Sequence, residues 1–131
     1  MRKLGLILST VFFAIAAFAF TANPVLAETY QVKMGADSGQ LKYDPATLSI
    51  KPGDTIEFVM NKLAPHNVVF DPSGVPSGAK SLASSLSASK LLFSPGQSYN
   101  VTFPKDAPKG EYNYYCQPHR GAGMNGKIIV E

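Results

Sequence analysis

The stretch Tyr112-Asn113-Tyr114-Tyr115-Cys116-Gln117-Pro118-His119-Arg120-Gly121-Ala122-Gly123-Met124-Asn125-Gly126-Lys127 decides the reading of the whole chain. Its first part alternates: Tyr112, Tyr114 and Cys116 fall on one face of an extended segment, with Asn113 and Tyr115 on the other. A strand therefore runs into a loop rich in Gly and Pro. In that loop a thiol (Cys116), an imidazole (His119) and a thioether (Met124) follow one another at spacings of three and five residues. Taken alone, Cys-x-x-His is a weak signal. It gains weight because Cys116 is the only cysteine and His66 the only other histidine, fifty residues upstream in Ala64-Pro65-His66-Asn67.

Working outward, the same period-two alternation recurs at Tyr30, Val32 and Met34, at Ile56, Phe58 and Met60, at Tyr99, Val101 and Phe103, and at Ile128 and Val130. Polar residues such as Gln31, Lys33, Glu57, Asn100 and Glu111 stand between them, the pattern of half-buried strands. Leu41 to Tyr43, Thr47 to Ile50 and His66 to Phe70 complete about eight candidate strands. Turn signals punctuate them, among them Lys51-Pro52-Gly53-Asp54, Asp71-Pro72-Ser73-Gly74 and Ala107-Pro108-Lys109-Gly110. Short strands so spaced predict an all-β sandwich or barrel. The exception is Ser77 to Ser89, rich in Ser and Ala with Leu82 and Leu86 four apart, which predicts one short surface helix or a structured loop.

The chain of 131 residues allows one short domain. Arg2 and Lys3 lead into an apolar run from Leu4 to Phe20, and Val25-Leu26-Ala27 has the small-residue ending that signal peptidase cleaves. The expected division is a signal peptide over 1–27 and a mature domain over 28–131. A membrane anchor is the alternative, but 17 apolar residues are at the short edge for a spanning helix. Without Arg2 and Lys3, 10 of the 12 basic side chains remain against 9 acidic ones, with no basic cluster, which excludes a nucleic-acid reading. One cysteine cannot form a disulfide within the chain. An exported lone thiol needs protection, by burial or by a metal.

If His66 and His119 converge on Cys116 and Met124, the donor set is two imidazoles, one thiolate and one thioether. A trigonal plane of two imidazoles and a thiolate with a weak axial thioether suits neither Cu(II) nor Cu(I) fully, so little moves when an electron arrives or leaves; this is the donor set of blue-copper electron-transfer sites. Each residue also has an ordinary reading. Cys116 could be a small core hydrophobe, Met124 could be core packing, and the two histidines could be surface or capped residues. It is their conjunction at two junctions of loop and strand that favours the metal.

The 112–127 string, with Pro65-His66-Asn67 upstream, resembles the plastocyanin family of blue-copper proteins, and the resemblance runs from Tyr30 to Val130. It implies a Greek-key cupredoxin β-sandwich of about eight strands with one short helix, binding one copper ion through His66, Cys116, His119 and Met124. By the same resemblance, Asn67 ties the two ligand loops together and Pro65 corresponds to a proline of special conformation. Gly39, Leu41, Leu63, Pro65, Gly121 and Ala122 would form a flat apolar end around the edge of His119, through which electrons pass. Tyr115 would mark a second docking surface, and Arg120 resembles the cyanobacterial variant, able to pair with an acid on a partner. Plant-type acidic clusters flanking that tyrosine are missing, since Ser77 to Ser89 is nearly neutral.

The resemblance thus implies a soluble, monomeric carrier in the cyanobacterial thylakoid lumen, peripheral to the membrane, with cytochrome f as donor and photosystem I as acceptor. It is not expected to be an enzyme: nothing is placed to orient a histidine base, and the domain leaves little room for a cleft. A periplasmic, pseudoazurin-like cupredoxin outside photosynthesis is the nearest alternative, and a copper storage or delivery protein a more distant one.

Overall fold

The computed structural model describes residues 26–131; most of the expected signal peptide lies outside the described residues. Among the described residues, nine strands form two sheets. They are β1 (Thr29–Met34), β2 (Tyr43–Asp44), β3 (Thr47–Ile50), β4 (Thr55–Met60), β5 (His66–Phe70), β6 (Ala88–Leu92), β7 (Ser98–Thr102), β8 (Gly110–Tyr115) and β9 (Asn125–Val130). One sheet has the order β2-β1-β4-β7 and the other β3-β9-β8-β5-β6. The pairs β1/β4 and β3/β9 are parallel and the rest antiparallel, so the chain crosses repeatedly between sheets. Among the described residues no helix is long and apolar enough to cross a membrane.

Alternation dictates the packing. In β4, Ile56, Phe58 and Met60 are buried while Thr55, Glu57 and Val59 are only partly covered, and in β8 Tyr112 and Tyr114 are buried between less covered neighbours. Burying the inner face of each strand supplies the main driving force for folding. The inward aromatic rings meet at angles that suit their quadrupoles: Tyr43 and Phe58 pack edge-on at 6.2 Å, Phe58 and Tyr114 at 5.4 Å, and Phe103 and Tyr112 at 5.2 Å.

The predicted helix forms over Lys80–Leu86, burying Ala83 and Leu86 on one face. The segment after it contains a strand that alternation did not predict, β6, paired with β5 through an irregular register. Its period is obscured because its residues run Ala-Ser-Lys-Leu-Leu, with only Leu92 buried. The expected strand at Leu41 to Tyr43 forms instead at Tyr43–Asp44, where the chain can pair with β1 after the Gly35 to Gly39 turn.

The ends of β1, β4 and β8 and the starts of β5, β7 and β9 fall at one end of the sandwich, so the loops 35–42, 61–65, 93–97 and 116–124 gather there. Two glycines permit this closeness. A Cβ on Gly35, whose φ is +86°, would overlap the Lys62 carbonyl, and a Cβ on Gly126 would overlap the Tyr114 ring. Gly126 has no left-handed backbone to excuse it. Gly126→Ala is therefore expected to destabilise the fold by about 1–3 kcal/mol through overpacking, measurable as a lowered denaturant midpoint with an unchanged slope.

Candidate metal centre

His66 opens β5, Cys116 follows the last residue of β8, His119 lies in the 3₁₀ turn Gln117–Ala122, and Met124 directly precedes β9. Backbone hydrogen bonds close the loop that carries three of them. The Cys116 N–H donates to the Met124 carbonyl at 3.0 Å, and the Met124 N–H donates to the His119 carbonyl at 3.2 Å. Gly123, with φ +82°, makes the turn, and its N–H bonds back to the Arg120 carbonyl.

The side chains converge. Cys116 Sγ lies 3.5 Å from His66 Nδ1 and 3.6 Å from His119 Nδ1, and the three donor atoms are within 4.8 Å of one another. A metal with bonds of about 2.0–2.3 Å to nitrogen and sulfur, shared at trigonal angles, separates its donors by roughly 3.5–3.8 Å. The donors thus already stand at the distances a shared ion requires. His66, Cys116 and Met124 are fully buried, and His119 is partly exposed. The Met124 side chain belongs to the same buried cluster as Cys116.

The surroundings select the donor atoms. The Lys62 carbonyl meets His66 Nε2, so the proton of the neutral ring sits there and the Nδ1 lone pair faces the sulfur. Burial pushes the His66 pKa down, which keeps the ring neutral and able to ligate. Burial pushes the Cys116 thiol up, opposed by backbone hydrogen bonds from Asn67 and His119. A cation at the centre would favour the thiolate in this setting, since charge is costly there without a partner.

Asn67 joins the loops. Its side-chain oxygen accepts from the Gln117 N–H at 2.8 Å, and its amide donates to the Ser89 carbonyl at 3.0 Å and to Gln117 Oε1 at 3.4 Å. Three segments distant in sequence are thereby held on one buried side chain. Pro65 follows a cis peptide bond, as Pro45 also does. Leu63 has φ +60°, an uncommon conformation for a branched residue, and is 49% exposed at the loop end.

Gly39, Gly121 and Ala122 are exposed, Pro65 is part-buried, and Leu41 packs partly against the core. Phe93, which sequence reasoning did not single out, is 62% exposed in the neighbouring loop and adds to this apolar end. Leu92 pairs with His66 and faces inward, which turns Phe93 outward, but β6 carries no sequence period from which this could be read.

Tyr115 is partly exposed on the outer face of β8. The Arg120 guanidinium lies 3.9 Å from its ring centre and 3.8 Å from the Asp71 carboxylate. Hydrogen bonds from Ser73 hold Asp71 below the usual carboxylate range, with a smaller contribution from Arg120. Arg120 thus lies along the side of the molecule over Tyr115, at a cleft of about 410 Å³ that Asn113 and Lys127 also line.

The profile of copper binding proteins, plastocyanin/azurin family, matches residues 30–131. The chain belongs to that family. It is 53% identical over 131 residues to a plastocyanin of Nostoc punctiforme, covering 100% of this chain and 94% of that one. With a chloroplastic plastocyanin of Chlamydomonas reinhardtii it shares 52% over 100 residues, covering 76% of this chain and 66% of the other. Among solved structures, oxidised plastocyanin of the fern Dryopteris crassirhizoma superposes with a TM-score of 0.65 at 30% identity, covering 77% of this chain and 99% of that one. A pseudoazurin from Methylobacterium extorquens gives 0.55 at 30% identity, covering 78% and 74%. The cofactor is copper in a type 1 site of His66, Cys116, His119 and Met124, and the chain is an electron carrier, not an enzyme.

Cys116→Ser removes the soft sulfur while nearly preserving shape. It is expected to abolish the intense sulfur-to-copper absorption and to change stability by only about 1–3 kcal/mol, checked by titrating with Cu(II) and by denaturant unfolding.

Proposed function

We propose that this chain carries single electrons from cytochrome f to photosystem I in a thylakoid lumen, after removal of its first 27 residues as an export signal. Bound copper supplies a one-electron couple at the site. The protein's part is to hold the donors in one arrangement for both oxidation states, which limits the reorganisation that accompanies transfer. The observation that carries the reading is the convergence of both histidines and the only cysteine at 3.5–3.6 Å beneath an apolar loop end. Full-length similarity to a cyanobacterial plastocyanin supports the choice of partners.

The apolar end suits brief encounters. His119 is partly exposed there, and small side chains at Gly121 and Ala122 let a partner come close. Approach there need not strip water from a charge, so a complex can form and dissociate quickly. Arg120 and Tyr115, stacked on the side surface, serve as a second contact that orients the partner. Asn67 keeps the loops of His66 and Cys116 in register, with Pro65 setting the entry to β5.

The test is to expose the reduced copper-loaded protein to flash-illuminated photosystem I particles and, in the other direction, to expose the oxidised copper-loaded protein to reduced cytochrome f. Rapid oxidation by the first and rapid reduction by the second are expected; inertness toward both would overturn the assignment of partners. Ala122→Glu is expected to slow both reactions by about tenfold, because even ~1.4 kcal/mol of added desolvation is a factor of ten, while leaving the absorption spectrum unchanged.

A further inference from the structure

Tyr43 is fully buried, and packing accounts for its ring but not for its hydroxyl. The ring fills the core edge-on to Tyr114 at 4.6 Å and to Phe58 at 6.2 Å, contacts that a phenylalanine would make equally well. The hydroxyl instead crosses from the first sheet, where Tyr43 pairs with Met34, and donates to the Asn67 carbonyl at 2.6 Å in the second. Asn67 follows ligand His66 and, through its side chain, holds the N–H of the residue after ligand Cys116. One buried residue is thus gripped from both sheets and from the ligand loop.

We propose that Tyr43 is a positioning residue of the metal centre: its hydroxyl locks the Asn67 peptide, and through it the relative placement of His66 and Cys116. The proposal rests on the copper reading for its consequence, but the lock itself is a property of the chain alone. Without the hydroxyl, the Asn67 carbonyl would be buried with its donor removed, and the peptide would turn to find another. Its side chain would move with it, loosening the Gln117 N–H.

A matched control exists in the same molecule. The Tyr112 hydroxyl donates to the Pro108 carbonyl, also at 2.6 Å, at the opposite end of β8 from the ligand loop. Tyr43→Phe and Tyr112→Phe therefore each remove one tyrosine-to-carbonyl hydrogen bond, and only the first should reach the site. In copper-free protein, Tyr43→Phe is expected to speed amide exchange at Gln117 by about fivefold, with Tyr112→Phe leaving it unchanged. In copper-loaded protein, Tyr43→Phe should slow electron self-exchange, since donors held less firmly rearrange more.

Exchange at Gln117 and self-exchange that match wild type in Tyr43→Phe, or that change equally in Tyr112→Phe, would overturn the proposal. Should Tyr43→Phe fail to fold, 3-fluorotyrosine at position 43 keeps shape and hydroxyl while strengthening donation. Slower Gln117 exchange is then expected, and an unaltered rate would refute the lock. A wild-type protein without a blue copper spectrum would count against the functional reading only, because exchange in the copper-free chain tests the lock separately.

Discussion

The hydrogen bond from the Gln117 N–H to the Asn67 side chain, 2.8 Å long and spanning fifty residues, is the contact on which the metal centre depends. Ligands on separate loops are useful to an electron carrier only if the loops keep their separation when the charge of the centre changes. Loops at the end of a sandwich are ordinarily the most mobile part of such a fold. Here they are tied to each other, to β6 through the Ser89 carbonyl, and to the opposite sheet through Tyr43. The Tyr43 bond is buried and the other two are partly so, and breaking any of them leaves a polar group with little water to replace its partner. That cost is what makes the arrangement stiff.

The core beneath the site is organised around the same requirement. Tyr43, Phe58, Phe70 and Tyr114 form a packed aromatic group under Cys116, and Gly126 is bare so that Tyr114 can lie across it. Gly35 is bare so that the first loop can approach the Lys62 carbonyl, which in turn orients His66. Both glycines give up side-chain packing to bring one backbone or ring close to another. Each lies one step removed from a ligand.

Outside the core, polarity is divided by position. The loop end near His119 presents Leu63, Phe93, Gly121 and Ala122, while the side surface carries Tyr115 with Arg120 stacked upon it and Asp71 beside it. An exposed ion pair of this kind contributes little stability. It does hold the guanidinium against the ring, so that a planar cation is displayed in a defined place. A carrier that must bind and leave two partners in turn is well served by a small apolar contact and one oriented charge.

Much of this was legible beforehand because strands write their burial in alternate residues. Tyr112, Tyr114 and Cys116, or Ile56, Phe58 and Met60, announce both strand and inner face, and a single cysteine with two histidines leaves few ways to build a metal site. β6 was hidden because Ala88 to Leu92 buries one large residue and so has no period to detect. Phe93 and Tyr43 passed unmarked as functional residues for a related reason: an aromatic side chain states its hydrophobicity in the sequence, but not which neighbours it meets. The sequence by itself determined the fold class, the donor set and the loop that carries three of its members, because these follow from local pattern and from residue chemistry. Only the tertiary structure decided that the donors meet at 3.5–3.6 Å, that Arg120 lies over Tyr115, and that Tyr43 reaches Asn67, because each depends on contacts between residues far apart in the chain.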